Sequence, residues 1–102
     1  MQARKVVVIS ARVHPGESNA SWMMQGLLEA VTADTNEAKQ LRRTLMLKVV
    51  PMLNPDGVIL GNYRCSVMGV DLNRNWLDPH ETSHPTIYHL KRMMKGYLAT
   101  EQ

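Results

Sequence analysis

Near the start of the chain, Lys5-Val6-Val7-Val8-Ile9-Ser10 is a continuous β-branched run, the pattern of a strand buried on both faces. The periodicity then changes. After Trp22 and Met23, the residues Met24, Leu27, Leu28 and Val31 fall at helical spacing and predict a helix packed on that strand. Ser18-Asn19-Ala20-Ser21 offers N-cap side chains at its start, and Gly26 lowers its propensity by about 1 kcal/mol relative to alanine. Residues 32–36 are polar. Asp34 with Glu37 predicts a capping-box start to a short helix running to about Arg43, and residues 45–50 read as a second strand. A last helix is expected from Ser83-His84-Pro85, with Ile87, Leu90, Met94 and Leu98 along one face and Lys91, Arg92 and Lys95 facing water.

Strand, helix, helix, strand, helix is an α/β order. In open α/β sheets ligands gather beyond the carboxyl ends of strands, so the loops after Ser10 and Val50 are expected side by side. The second opens with Pro51, which removes a ladder donor, and Asn54-Pro55-Asp56-Gly57 reads as a tight turn.

Composition narrows the setting. With 102 residues the chain matches one small domain, burying about 65% of its unfolded surface if it closes on itself. Its 44% apolar and 21% charged residues are ordinary for a globular protein. A single cysteine, Cys65, forms no internal disulfide, which favours a reducing compartment and a cytoplasmic location. The first apolar run is too short for a signal peptide, Arg12 interrupts it, and nothing is long enough to span a membrane. The net charge of +3 is spread along the chain, so nucleic-acid binding has little support.

Chemistry gathers after the first strand, where Arg12-Val13-His14-Pro15-Gly16-Glu17 sets two zinc-capable side chains on a strand exit. Proline holds His14 extended, and Gly16 is expected to let the loop turn sharply. An H-x-x-E alone arises often by chance. Further on, Arg64 and Arg74 sit in glycine-punctuated sequence, where a guanidinium fork can hold a carboxylate, although surface salt bridges account for either one alone.

Four segments together carry a specific resemblance: RVHPGES at 12–18, PMLNPDGV at 51–58, GNYRCS at 61–66 with GVDLNRNW at 69–76, and HPTIYHLK at 84–91. In order and spacing the chain resembles the N-terminal half of a zinc metallocarboxypeptidase domain related to carboxypeptidase A, most similar to the cytosolic carboxypeptidases that trim glutamates. The resemblance implies a mixed-sheet α/β domain of the phosphorylase/hydrolase-like type, of which residues 1–102 form the first, incomplete portion. It implies that His14 and Glu17 bind Zn2+, that Arg64 polarises the scissile carbonyl, and that Asn73 and Arg74 hold the substrate's C-terminal carboxylate. The implied partners are C-terminal protein tails, including polyglutamylated, tubulin-like tails. Asn54 to Gly57 is read as the turn positioning the arginine loop, Cys65 as a small neighbour of Arg64 and Trp76 as packing, while Asp71 is a candidate to orient either Arg74 or the metal loop.

In the family pattern the third zinc ligand, the general-base glutamate and a pocket tyrosine fall beyond Gln102. His80, His84 and His89 come too early to replace the ligand, with capping or packing the expected role, and Glu81 and Glu101 do not match the base. The isolated chain is therefore expected to be inactive and to leave apolar edges open. Two alternatives stand beside the peptidase: a non-catalytic fragment binding C-terminal carboxylates, and a zinc acylase of the aspartoacylase type sharing an early H-x-x-E.

Overall fold

β1, Lys5–Ser10, and β2, Leu45–Val50, lie side by side in parallel, Lys5 opposite Leu45 and Ser10 opposite Val50. Parallel neighbours need a long crossover, and α1, Asn19–Thr32, with α2, Asn36–Thr44, supplies it. Beyond β2 come α3, Pro55–Leu60, a 3-10 turn at Leu72–Arg74, and α4, Pro85–Thr100. The computed structural model describes residues 3–100. The expectations for Glu101 and for the end at Gln102 lie outside them.

Side chains alternate along a strand, which separates two helix layers. Val8 and Val50 face the principal core, where Leu53, Leu72, Ile87 and Leu90 are buried and Val13, Val70, Trp76, Met93 and Met94 pack around them. Leu45, Leu47 and Val49 face the crossover, sharing a groove with Leu28 and Val31 of α1. On that side Met24, Val31 and Ala38 are buried, while Trp22 and Met23 are exposed. Closing off the end of α1, Arg42 of α2 donates to the carbonyls of Val31 and Ala33 at 2.6 and 3.1 Å.

Both strands have the predicted bounds, but neither is buried on both faces: β1 and β2 are half-buried in their middles. Among the described residues the sheet has two strands, so each keeps an open edge. The molecule is a slab of 45 × 33 × 15 Å with a radius of gyration of 15.5 Å, against about 13 Å for a closed domain of this length. Leu98, expected on the apolar face of α4, is 65% exposed for the same reason.

Local signals misled in four further places. Ser18 makes no side-chain cap to α1. The cap of α2 is Thr35, whose Oγ1 accepts from the Ala38 N–H at 3.2 Å, while Asp34 instead pairs with Lys39 on the surface. Asn54-Pro55-Asp56-Gly57 is the first turn of α3 rather than a free turn, with the Asn54 side chain accepting from the Gly57 N–H at 3.0 Å. Finally, Lys91 is half-buried rather than turned out to water: its Nζ donates to the carbonyls of Trp76 and Leu77 at 2.7 and 2.6 Å, tying the loop before α4 to that helix.

Candidate metal and carboxylate site

The loops leaving β1 and β2 are laced together by backbone bonds. Ala11 N–H donates to Val50 O at 3.0 Å, Leu53 N–H to Ala11 O at 2.9 Å and Asn54 N–H to Arg12 O at 3.2 Å. The buried Asn54 side chain adds a bond from its Nδ2 to Val13 O at 3.3 Å. This puts the two strand exits next to each other, as their order predicted.

His14 leaves this seam buried, with 8% of its surface exposed. Its Nε2 meets Asp71 Oδ1 at 3.0 Å, and its Nδ1 faces Glu17 Oε2 at 3.5 Å. An ionised carboxylate only accepts, so Asp71 draws the imidazole proton to Nε2 and leaves the lone pair on Nδ1. In the neutral imidazole, Nδ1 and the Glu17 carboxylate are then two electron-pair donors with no proton between them, an arrangement that a cation satisfies. Two tetrahedral zinc ligands about 2.1 Å from the metal lie roughly 3.4 Å apart. The His14 and Glu17 pair fits zinc in donor chemistry and in spacing.

Asp71 is the hub. Besides His14, its Oδ1 accepts from the Asn73 N–H at 3.0 Å, and its Oδ2 accepts from Arg64 Nε at 2.7 Å. Burial works against ionisation of this carboxyl, but the bonds from His14, Asn73 and Arg64, with the Arg64 charge, outweigh it and hold the pKa below the ordinary value. Of the two roles considered for Asp71, it therefore braces the metal loop; the arginine it holds is Arg64 rather than Arg74. Binding through Nε leaves the two terminal nitrogens of Arg64 free to point elsewhere, and the side chain is half exposed.

Asn73 and Arg74 lie on the 3-10 turn that Asp71 caps. Trp76 Nε1 donates to Asn73 Oδ1 at 2.8 Å. Indole nitrogen only donates, so the amide oxygen must face it and the Asn73 NH2 group is left to donate. Trp76 thus both packs on the core and orients Asn73, a role that packing alone did not foresee. Arg74 is exposed and, among the described residues, enters no ion pair.

Two loop residues have unexpected jobs. Gly16 has no left-handed φ; it is required by close approach, since its N–H donates to Tyr63 O at 2.7 Å and a Cβ would stand 2.8 Å from that oxygen. Arg12, at φ 57, does sit in the left-handed region, which costs a non-glycine residue about 1–2 kcal/mol. Neither was visible in spacing. The half-buried Cys65 is a free thiol, and its carbonyl accepts from Asn62 Nδ2 at 3.1 Å.

The later histidines are engaged elsewhere. His84 Nδ1 accepts from the His80 N–H at 2.9 Å, and His80 Nδ1 from the Thr82 N–H at 3.3 Å, both at the turn before α4. His89 is exposed, edge-on to Tyr88. Among the described residues no cluster of three or more His, Cys, Asp or Glu side chains is set to hold a metal.

A sequence model of the zinc carboxypeptidases matches residues 1–96. The chain belongs to the zinc carboxypeptidase family. This zinc carboxypeptidase chain is 52% identical over 101 residues to cytosolic carboxypeptidase 2 of Danio rerio, covering 99% of itself and 14% of that protein. It is 56% identical over 96 residues to cytosolic carboxypeptidase 1 of Homo sapiens, covering 94% of itself and 8% of the relative. Its backbone superposes on a metallo-carboxypeptidase from Burkholderia cenocepacia with a TM-score of 0.88 at 33% identity, over 94% of this chain and 27% of that one. A Pseudomonas aeruginosa metallo-carboxypeptidase, solved with (2-guanidinoethylmercapto)succinic acid, gives a TM-score of 0.85 at 37% identity, over 92% and 25%. The α/β carboxypeptidase fold is thus established for its N-terminal part, and this chain spans about a seventh or less of the curated relatives' length.

Proposed function

We propose that this chain forms the first part of an active site that removes C-terminal residues, glutamates above all, from protein tails. His14 and Glu17 are two of the ligands for zinc. Bound zinc supplies Lewis acidity and a water whose pKa is lowered to about 7. Arg64, half exposed and aligned by Asp71, serves the carbonyl of the bond to be cut. Asn73 and Arg74 grip the free carboxylate of the tail, the amide through its NH2 and the arginine through its fork.

The observation that carries this reading is the facing of His14 Nδ1 and Glu17 at 3.5 Å with the other imidazole nitrogen taken by Asp71. The succinic acid derivative in the Pseudomonas aeruginosa structure supports carboxylate capture within the family. The relatives' names, cytosolic carboxypeptidases, support removal of C-terminal residues and a cytoplasmic location; glutamate preference and polyglutamylated tubulin-like tails as partners belong to the proposal. Among the described residues no helix is long and apolar enough to cross a membrane. With His14 and Glu17 as its proposed ligands and no cluster of three metal-capable side chains among the described residues, the 102-residue chain alone binds zinc weakly and cleaves nothing under this proposal.

The test pairs zinc with a peptide ending in two glutamates. The peptide should bind the zinc-loaded chain, lose affinity when its C-terminus is amidated, and show a much smaller preference between the two forms with Arg74→Ala, which keeps only the Asn73 donor. Equal binding of both forms to the parent chain would rule out the carboxylate grip. Full binding in the presence of a chelator would identify a carboxylate-binding module without a metal step.

A further inference from the structure

We infer that Arg12 is a positioning residue for the metal loop, setting the distance between His14 and Glu17. The inference rests on the reading of these two side chains as zinc ligands and names what holds them in place. Arg12 sits at φ 57, a conformation that glycine or asparagine adopts more readily, immediately outside β1. Strain of that kind persists where the surroundings demand it, and here they do. The left-handed turn throws the side chain across the base of the loop. There Nε donates to Pro15 O at 2.9 Å and a terminal nitrogen to Ser21 Oγ at 2.7 Å.

One rigid guanidinium therefore bolts the carbonyl between the two ligands to the first turn of α1. Pro15 lies next to His14, and the Glu17 carbonyl accepts from the Ala20 N–H at 3.0 Å to lead into the helix. Ser21, the third residue of α1, spends its hydroxyl as the acceptor for Arg12, while the N-cap Ser18 makes no side-chain cap bond. His14 has a second brace in Asp71, whereas the more exposed Glu17 has none but this loop geometry. Lysine could not replace the residue, because it lacks the planar fork that reaches two acceptors at once.

The experiment measures Zn2+ affinity by competition with a chromophoric chelator, and the thermal midpoint, for the 102-residue chain and its variants. Arg12→Gly removes clamp and strain together, so zinc affinity should fall roughly tenfold, the loss typical of removing a ligand's support, while the midpoint stays level or rises. Ser21→Ala, which removes one anchor only, should weaken zinc less, without a matching loss of midpoint. Unchanged zinc affinity in either variant, or a loss that tracks a falling midpoint, overturns the inference. Should Arg12→Gly fail to fold, Ser21→Ala decides. His14→Ala is the control: if it too binds zinc like the parent, the metal-site reading itself is what has failed.

Discussion

His14 Nε2 and Asp71 Oδ1 stand 3.0 Å apart although they lie 57 positions apart in the chain. This contact fixes which imidazole nitrogen carries the proton, and so which one can hold a metal. Asp71→Asn keeps the shape but frees the tautomer and releases Arg64 from its charged partner. Zinc binding is expected to weaken about tenfold, and nitrogen NMR of His14 should change from one tautomer to a mixture. Parent-like zinc affinity with an unaltered ring spectrum would contradict the assignment.

Asp71 also sets an acid limit. Its carboxyl has a depressed pKa in the folded chain, so the folded state holds fewer protons there than the unfolded one. The stability it contributes is complete above the unfolded value near about 4 and drains away as pH falls through the lower folded value. Urea midpoints measured from pH 5 to pH 2 should drop more steeply for the parent than for Asp71→Asn. Parallel acid limbs would show that the bonds to His14, Asn73 and Arg64 do not stabilise the charge.

Gly16→Ala drives a Cβ into Tyr63, within 2.3 Å of its ring and 2.8 Å of its carbonyl. The exposed ring can swing away; the backbone oxygen cannot. A loss of about 1–3 kcal/mol is expected, with weaker zinc binding because the metal loop must shift. Adding Tyr63→Ala should not restore either property, since the carbonyl remains. Full rescue by the double variant would mean that the ring alone requires glycine.

The core is concentrated enough for one residue to decide folding. Ile87 has no exposed surface and lies in the cluster with Leu53, Leu72 and Leu90, so Ile87→Ala is expected to cost about 2–5 kcal/mol. Leu77, 92% exposed, is the counterpart on the surface, and Leu77→Ala should stay within about 0.5 kcal/mol. Chemical denaturation of both variants checks the contrast, which fails if the two midpoints shift alike.

The sequence disclosed those parts of the fold that depend on near neighbours. Both strands have the predicted bounds: β1 because its β-branched run leaves few other conformations, and β2 because a short apolar stretch is stopped by Pro51; α4 begins at Pro85, as its proline suggested. Burial was less legible. A run such as Val6 to Ile9 records that a strand suits two covered faces, but not how much cover residues 3–100 themselves provide. Caps were ambiguous because Asp34 and Thr35 are both good acceptors, and backbone geometry chose Thr35. In the site, His14 and Glu17 were visible through local spacing. Arg12 and Trp76 were not, because their roles are set by where a guanidinium and an indole point.

The parallel pairing of β1 with β2 and the long reach from His14 to Asp71 also impose an order in time. During synthesis at about 5–20 residues per second, the chain takes roughly 3–11 s to advance the 57 positions from His14 to Asp71. Throughout that interval a nascent chain presents an imidazole without its carboxylate brace and a first strand without its neighbour. If His14 and Glu17 hold zinc as proposed, metal loading comes late, because the braced pair exists only after the segment carrying Arg64 and Asp71 has emerged.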